Sequence, residues 1–243
     1  MELKEFSSKV DEWDQKVIIK YNGLGGKPLT IIFRFLSFFG KETLWLCLIA
    51  FYLVIWYDPF LLSYISATFL TGLILILLIK QTIKRKRPFE RLEEGKITVY
   101  ERKPSSRSFP SWHSYNIMAH GLLFGIIFLK SPIISVLVLI IVFIVSFSRI
   151  QLGVHYPSDV IFGSIFGILG FLLTIYLTGP LIFKLVTYLE QFILVEIQYQ
   201  QINPLLLNNI GYLFFSLGIF LIIFLLAINK SIIALLKKNK LKV

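Results

Sequence analysis

Apolar residues fall into long unbroken runs at about 42–57, 60–79, 111–130, 132–147, 160–177 and 210–228. Several approach the roughly 20 residues that a helix needs to cross a bilayer. Their continuity argues against a transmembrane barrel, whose strands alternate apolar with polar positions. The pattern predicts an all-α, polytopic transmembrane helical bundle of about six spans. The stretches between the runs differ in kind. Residues 1–20 mix charges with Phe6, Val10, Trp13 and Val17 near helical period, which predicts an amphipathic helix at the interface, ended by Gly23, Gly25, Gly26 and Pro28. Residues 28–40, PLTIIFRFLSFFG, are apolar but too short to cross alone and are interrupted by Arg34, so they read as an interfacial lead-in or the start of a long tilted helix. Residues 81–110 are too polar to insert. Lys184, Glu190 and Glu196 among apolar residues predict an amphipathic surface helix over 180–209, and 230–243 form a basic tail. The expected organisation is one integral membrane domain over 1–243, with an interfacial region 1–41 and a core at 60–170.

Composition agrees, with 56% of the 243 residues hydrophobic and a mean hydropathy of +0.76, outside the range of a soluble domain. The net charge of +11 is concentrated between Lys80 and Arg107 and in the tail, which calls for anionic partners: a phosphorylated substrate, lipid headgroups, or both. Nucleic acid is not expected, because these cations flank spans and no nucleic-acid-binding module accompanies them. The single Cys47 excludes an intramolecular disulfide. The first apolar run follows a charged stretch, so a cleavable signal peptide is not expected. No internal repeat is visible. Six spans would bring both termini, the 80–110 segment and residues 149–158 to one membrane face. The positive-inside bias makes that face cytoplasmic, unless the loop cations serve a substrate instead.

One island interrupts the apolar pattern at a costly place. Ser148 to Asp159 reads SRIQLGVHYPSD and carries Arg149, His155 and Asp159 between two runs; ionisable residues there are a functional hypothesis by default. The same face receives Lys80 and Arg87 after the second run and Pro110-Ser111-Trp112-His113 at the start of the third. Three fixed cations, two imidazoles and a carboxylate are the inventory of phosphoryl transfer. Each charge pair at about 4 Å contributes on the order of 4 kcal/mol at an effective dielectric of about 20, before desolvation. Asp159, four residues after His155, can hold one imidazole nitrogen protonated and leave the other free to attack phosphorus. His113 would be the general acid, and amides near Ser111 and Trp112 a further anion site. Taken singly, these residues have plainer readings. Lys80 would be a snorkelling helix-end lysine, Arg149 an interfacial anchor, Ser111 an N-cap and Asp159 a first-turn carboxylate. Lys84, Arg85 and Lys86 read as a solvated or headgroup-binding run outside the site, His120 as a packed histidine and Asp58 as a turn residue.

The three blocks K-x6-R-P (Lys80 to Pro88), P-S-x-H (Pro110 to His113) and S-R-x5-H-x3-D (Ser148 to Asp159) resemble the type 2 phosphatidic acid phosphatase superfamily. These are the lipid phosphate phosphatases that share a site with vanadium haloperoxidases. The resemblance extends from about Phe60 to Gly170. It implies His155 as a nucleophile forming a phosphohistidine, Asp159 as its orienting partner and His113 as the acid that later activates water. It also implies Lys80, Arg87, Arg149, Ser111 and the Trp112 amide as phosphate ligands, no metal or other cofactor, and a membrane lipid phosphate as substrate. The family's site usually faces the outside or the lumen, against the simple charge count. Trp112 stands where the family often has glycine, which predicts a restricted headgroup pocket or an aromatic contact to lipid. The expected function is a metal-independent lipid phosphate phosphatase, with lipid-to-lipid phosphotransfer or non-enzymatic transport or binding of anionic lipid as alternatives. A soluble-type haloperoxidase does not suit a site built into a bilayer.

Overall fold

In the computed structural model, the structure describes residues 2–193 and 197–240, with side chains for 5–193 and 197–227. Glu196 and the side chains of the basic tail lie outside the described residues. In chain order the helices are α1 (Glu2–Tyr21), α2 (Gly26–Leu36), α3 (Glu42–Val54), α4 (Pro59–Thr82), α5 (Pro88–Arg91), α6 (Trp112–Leu122), α7 (Pro132–Gln151), α8 (Pro157–Leu173), α9 (Gly179–Glu190), α10 (Leu205–Asn208) and α11 (Ile210–Lys240). A 3-10 turn, Ser37–Gly40, follows α2, and π-helical turns follow α6 (Leu123–Phe128) and α8 (Thr174–Thr178). The all-α membrane fold read from the apolar runs is what forms.

Four described helices are long and apolar enough to cross a membrane: Pro59–Thr82, Pro132–Gln151, Pro157–Glu190 and Ile210–Ala227. A fifth is reached if Gly26–Gly40 and Glu42–Val54 count as one broken span. The number thus stands at four or five, against the six expected. The run expected over 111–130 is present as α6 and its π-helical extension, but it is short and buries Ser114, Asn116 and His120 inside the protein. Of the 180–209 segment, residues 179–190 continue the helical run that begins at Pro157, and Leu205–Asn208 add one turn.

The chain divides into two compact units, one of residues 1–41 with 68–176 and the other of 42–67 with 177–243. In the first, α6 is the inner helix, packed between α7 and α8. Glycines on α8 set the closeness. A Cβ at Gly163 would stand 2.6 Å from the Ser111 carbonyl oxygen, and one at Gly167 2.7 Å from Met118 Cβ, so only small residues at this spacing let the two backbones meet. Tyr115, fully buried, packs with Ile76 and Ala119 and donates its hydroxyl to the Thr68 carbonyl at 3.0 Å. Ile18 of α1 joins Ile150, Tyr156 and Val160 in a second cluster, which seats the amphipathic helix against the ends of α7 and α8. In the second unit α3 packs on α11, and Tyr212 donates to the Val54 carbonyl at 2.9 Å.

Candidate active site

Arg149 lies in the last turn of α7, and the chain then reverses sharply. Gly153 makes the reversal with φ 77°, a conformation open to glycine, and a Cβ there would lie 2.6 Å from the Thr98 carbonyl oxygen. The amides of Val154 and His155 return to the Arg149 carbonyl at 3.1 and 3.3 Å. Two residues later Pro157 opens α8, where its missing N–H costs nothing. Asp159, in the first turn, accepts from the Tyr156 amide at 2.9 Å through Oδ2. Helix capping therefore fixes the carboxylate, and the same Oδ2 lies 3.4 Å from His155 Nδ1. Ser108 Oγ donates to it at 2.5 Å.

The other ring nitrogen, His155 Nε2, meets Arg87 Nη1 at 3.2 Å. Arginine can only donate, so Nε2 is the lone-pair nitrogen and Nδ1 carries the proton toward Asp159. Burial pushes His155 well below the usual imidazole range, helped by the charges of Arg87, Lys80 and Arg149. His155 is therefore neutral near pH 7, with a lone pair on Nε2. Arg87 sits on an extended stretch before α5, with its amide held by Glu90 Oε2 at 2.8 Å. Burial and the neighbouring Arg149 lower its pKa to about 10, so it remains cationic.

His113 lies in the first turn of α6, whose N-cap, Ser111 Oγ, accepts from the Ser114 amide at 3.3 Å. Its Nε2 is buried and makes no hydrogen bond, and it is within electrostatic reach of Arg149, His155, Lys41 and Arg87. Gly40 backs the ring, because a Cβ there would come within 2.8 Å of His113 Cβ. The Ser111 amide donates to the Asp159 carbonyl at 2.9 Å, tying the start of α6 to that of α8. The structure thus brings His155, Asp159, Arg87, Lys80, Arg149 and His113 together. Ser111 is placed as a cap, its hydroxyl also accepting from Ser114 Oγ at 3.0 Å. The Trp112 indole stacks on Tyr115 with ring centres 5.6 Å apart and meets Phe69 edge-on at 5.9 Å. These contacts fix the ring while leaving it partly exposed.

All three cations are engaged by one loop. Lys80 Nζ donates to the Arg107 carbonyl at 2.5 Å. Arg87 donates to the Ser106 carbonyl at 2.7 Å and to the Val154 carbonyl at 2.8 Å. Arg149 donates to Ser37 Oγ at 2.6 Å and forms a two-pronged ion pair with Glu101. A carboxylate on that fork has the geometry that two phosphate oxygens would take.

Sequence reasoning missed Glu101, Ser108 and Arg85. Arg85 was expected in a solvated basic run, yet its guanidinium turns inward and donates to Asp159 Oδ1 at 2.7 Å. The usable signal was spacing. Arg85 precedes Arg87 by two residues, and on an extended chain that puts both side chains on one side. Glu101 and Ser108 lie in irregular chain with no periodicity to read. Among the described residues no three His, Cys, Asp or Glu side chains form a metal-holding group.

The chain is 40% identical over 91 residues to a decaprenylphosphoryl-5-phosphoribose phosphatase of Mycobacterium tuberculosis, covering 37% of this chain and 46% of that protein. It is 29% identical over 151 residues to an undecaprenyl-diphosphatase of Sulfolobus acidocaldarius, covering 62% of this chain and 70% of the relative. The match thus spans about half the length of the mycobacterial relative. Among solved structures, a transmembrane PAP2 type phosphatidylglycerolphosphate phosphatase from Bacillus subtilis shares the fold, with a TM-score of 0.54 and 23% identity over 76% of this chain and 88% of that one. The PAP2 superfamily itself matches residues 59–182. That stretch contains Lys80, Arg87, His113, Arg149, His155 and Asp159, and since it is just over half of the sequence, the chain belongs to the PAP2 superfamily.

Proposed function

We propose that this protein is a metal-independent lipid phosphate phosphatase that works through a phosphohistidine on His155. The observation that carries the reading is the polarised imidazole: Nδ1 faces Asp159 at 3.4 Å and Nε2 faces the guanidinium of Arg87 at 3.2 Å. Nε2 attacks phosphorus and forms an N–P bond as the P–O bond to the lipid breaks. His113, protonated once the phosphate dianion is bound, gives its proton to the leaving oxygen. It then takes one from water, which attacks phosphorus, breaks the N–P bond and releases inorganic phosphate. Lys80, Arg87 and Arg149 hold the equatorial oxygens throughout, charge stabilisation that is worth most in a water-poor site. Ser111 and the Trp112 amide complete the binding set at the N-terminus of α6.

The names of the two relatives point to polyprenyl-linked phosphates as the first substrates to try, ahead of phosphatidic acid and phosphatidylglycerol phosphate. We place the site on the outer or lumenal face, in keeping with the family. In a chain with Cys47 replaced, Glu94→Cys should react with a membrane-impermeant maleimide in intact cells; protection until lysis would reverse the orientation. The function itself is tested by phosphate release from a lipid panel in detergent with a chelator present. Release should persist, and a quenched reaction should trap an acid-labile, base-stable phosphoenzyme that His155→Ala lacks. Turnover by His155→Ala, or strict dependence on added metal, would sink the mechanism.

A further inference from the structure

We propose that Arg85, seated by Asp14 of α1, is a positioning residue for Asp159, so that the amphipathic helix forms part of the catalytic apparatus. The inference rests on the phosphohistidine reading above and extends it to a residue at one of the unspecified positions of the first sequence block.

The two oxygens of Asp159 divide their work. Oδ2 takes the Tyr156 amide and Ser108 Oγ and faces His155. Oδ1 takes Arg85 Nη1 at 2.7 Å. The carboxylate plane, and with it the direction of Oδ2 toward His155, is therefore set from behind by a guanidinium. Arg85 is itself held through both terminal nitrogens. Nη1 also reaches Ser158 Oγ at 2.7 Å, Nη2 reaches Asp14 Oδ2 at 2.6 Å and Asp11 Oδ1 at 3.1 Å, and the guanidinium carbon lies 4.3 Å from the centre of the Tyr156 ring. A planar fork saturated in this way has little freedom, which a lysine could not reproduce.

Asp14 makes the arrangement more than a surface ion pair. It is 0% exposed on a helix whose Lys9, Trp13, Lys16 and Lys20 are exposed, and a carboxylate is buried so completely only when its charge and lone pairs are met. Beyond Arg85, it accepts from the Ser158 amide at 2.9 Å and Ser158 Oγ at 2.5 Å. Ser158 precedes Asp159, so α1 grips the same helical turn that carries the orienting carboxylate. Burial opposes the charge on Arg85, but Asp159 and Asp14 outweigh it and raise its pKa, so the cation is permanent.

The charge has a chemical use. The groups bearing on His155 are Arg87, Lys80, Arg149 and His113, with Asp159 as the counter-charge. Arg85 takes up part of the negative charge of Asp159. Without it, Asp159 would draw His155 toward imidazolium, and the lone pair on Nε2 would be lost at a higher pH.

The test is steady-state phosphate release by the full chain in detergent, across pH, for Arg85→Gln, Arg85→Lys, Asp14→Asn and His155→Ala, with folding checked by gel filtration and thermal melting. Arg85→Gln should lower kcat/KM by roughly ten- to a hundredfold, as loss of supporting partners does elsewhere, and move the acid limb of the kcat/KM profile up by about half a pH unit or more. Arg85→Lys, which keeps the charge but not the fork, should leave the limb in place and lower kcat while KM holds. Asp14→Asn should cost less than Arg85→Gln. A folded Arg85→Gln protein with wild-type kcat/KM and an unmoved limb overturns the inference. If that variant does not fold, a wild-type kcat for Arg85→Lys overturns it. Activity in His155→Ala would instead remove the underlying mechanism, so the two failures are told apart.

Discussion

Each unit of the molecule holds a polar cluster near helix ends, and the two are built from opposite materials. In the second, Tyr57 donates to Glu190 Oε1 at 2.6 Å, Tyr199 donates to Glu190 Oε2 at 3.1 Å, and Gln200 Nε2 donates to Asp58 Oδ2 at 3.1 Å. Its carboxylates are met by neutral donors, and burial together with Glu190 pushes the Tyr57 phenol up so that it stays protonated. In the first, Arg87 and Arg149 are 2% and 1% exposed and stand around His155 at 3%. These guanidinium groups and Lys80 are met by loop carbonyls and by the Glu101 carboxylate. The second cluster is partly open, with Asp58 buried and Tyr199 49% exposed. A surplus of fixed cations beside a neutral imidazole belongs to the first, and that surplus is what a phosphate can bind.

The largest expected effect comes from neutralising Asp159, the carboxylate proposed to orient the nucleophile. Asp159→Asn keeps the shape of the side chain but can turn an N–H toward His155 Nδ1. That would favour the tautomer with its proton on Nε2 and remove the attacking lone pair. A loss in kcat on the order of 10³ or more is expected, by analogy with the orienting aspartate of serine proteases. Phosphate release from a lipid substrate measures it; a loss below tenfold would mean that the first cluster does not depend on this tautomer.

The second prediction concerns pH. His155 is held well below its ordinary range when folded, whereas an unfolded histidine titrates near 6.5. Below that pH the unfolded chain binds a proton that the folded chain refuses, so stability is full above about 6.5 and falls as pH drops toward the folded value. The slope approaches about 1.4 kcal/mol per pH unit for this group. Melting temperatures in detergent between pH 7 and 5 should decline, and His155→Asn should flatten part of the decline. Tyr57 and Tyr199, whose phenols are pushed up from an already alkaline range, should contribute no slope in this interval.

Much of this contrast is legible in the sequence, for definite reasons. Lys80, Arg87, His113, Arg149, His155 and Asp159 can be found because each is an ionisable residue set against apolar chain. A short local rule, the first-turn cap of Asp159 four residues after His155, joins two of them. The all-α membrane fold follows from unbroken apolar runs. What escapes is contact made by irregular chain and across long separations. Arg149 with Glu101 spans 48 positions and Arg85 with Asp14 spans 71. Asp14 looks like any other charge on an amphipathic helix until tertiary packing buries it. The span count escapes for a different reason. Hydropathy measures apolarity and not lipid exposure, so an inner helix such as α6, with buried Asn116 and His120, reads much like its lipid-facing neighbours.

A smaller effect should come from Glu101→Gln. The carboxylate occupies the Arg149 fork and must leave before phosphate oxygens can take its place. An amide keeps the size and withdraws the charge. Vanadate and inorganic phosphate should then inhibit about three- to tenfold more tightly, since a single charged competitor at a partly exposed site is worth around 1 kcal/mol. Weaker inhibition would mean that Glu101 positions Arg149 for substrate instead of competing with it.

The smallest effect is expected from the substitution used at Asp159, made at Asp58. Asp58 caps α4 through the Leu61 amide at 2.9 Å and takes Gln200 on its other oxygen. Asparagine caps a helix about as well as aspartate, and its remaining polar atom can still meet an amide side chain. Neither partner of Asp58 is charged, so removing its charge strands no cation. Asp58→Asn should leave kcat and KM for phosphate release unchanged and shift stability by less than about 0.5 kcal/mol, read as a small change in melting temperature. The same exchange of oxygen for nitrogen is expected to stop turnover in one cluster and pass almost unnoticed in the other, because only Asp159 stands between a guanidinium and a histidine that must keep its lone pair. Loss of activity in Asp58→Asn would show that charge in the second cluster reaches the reaction.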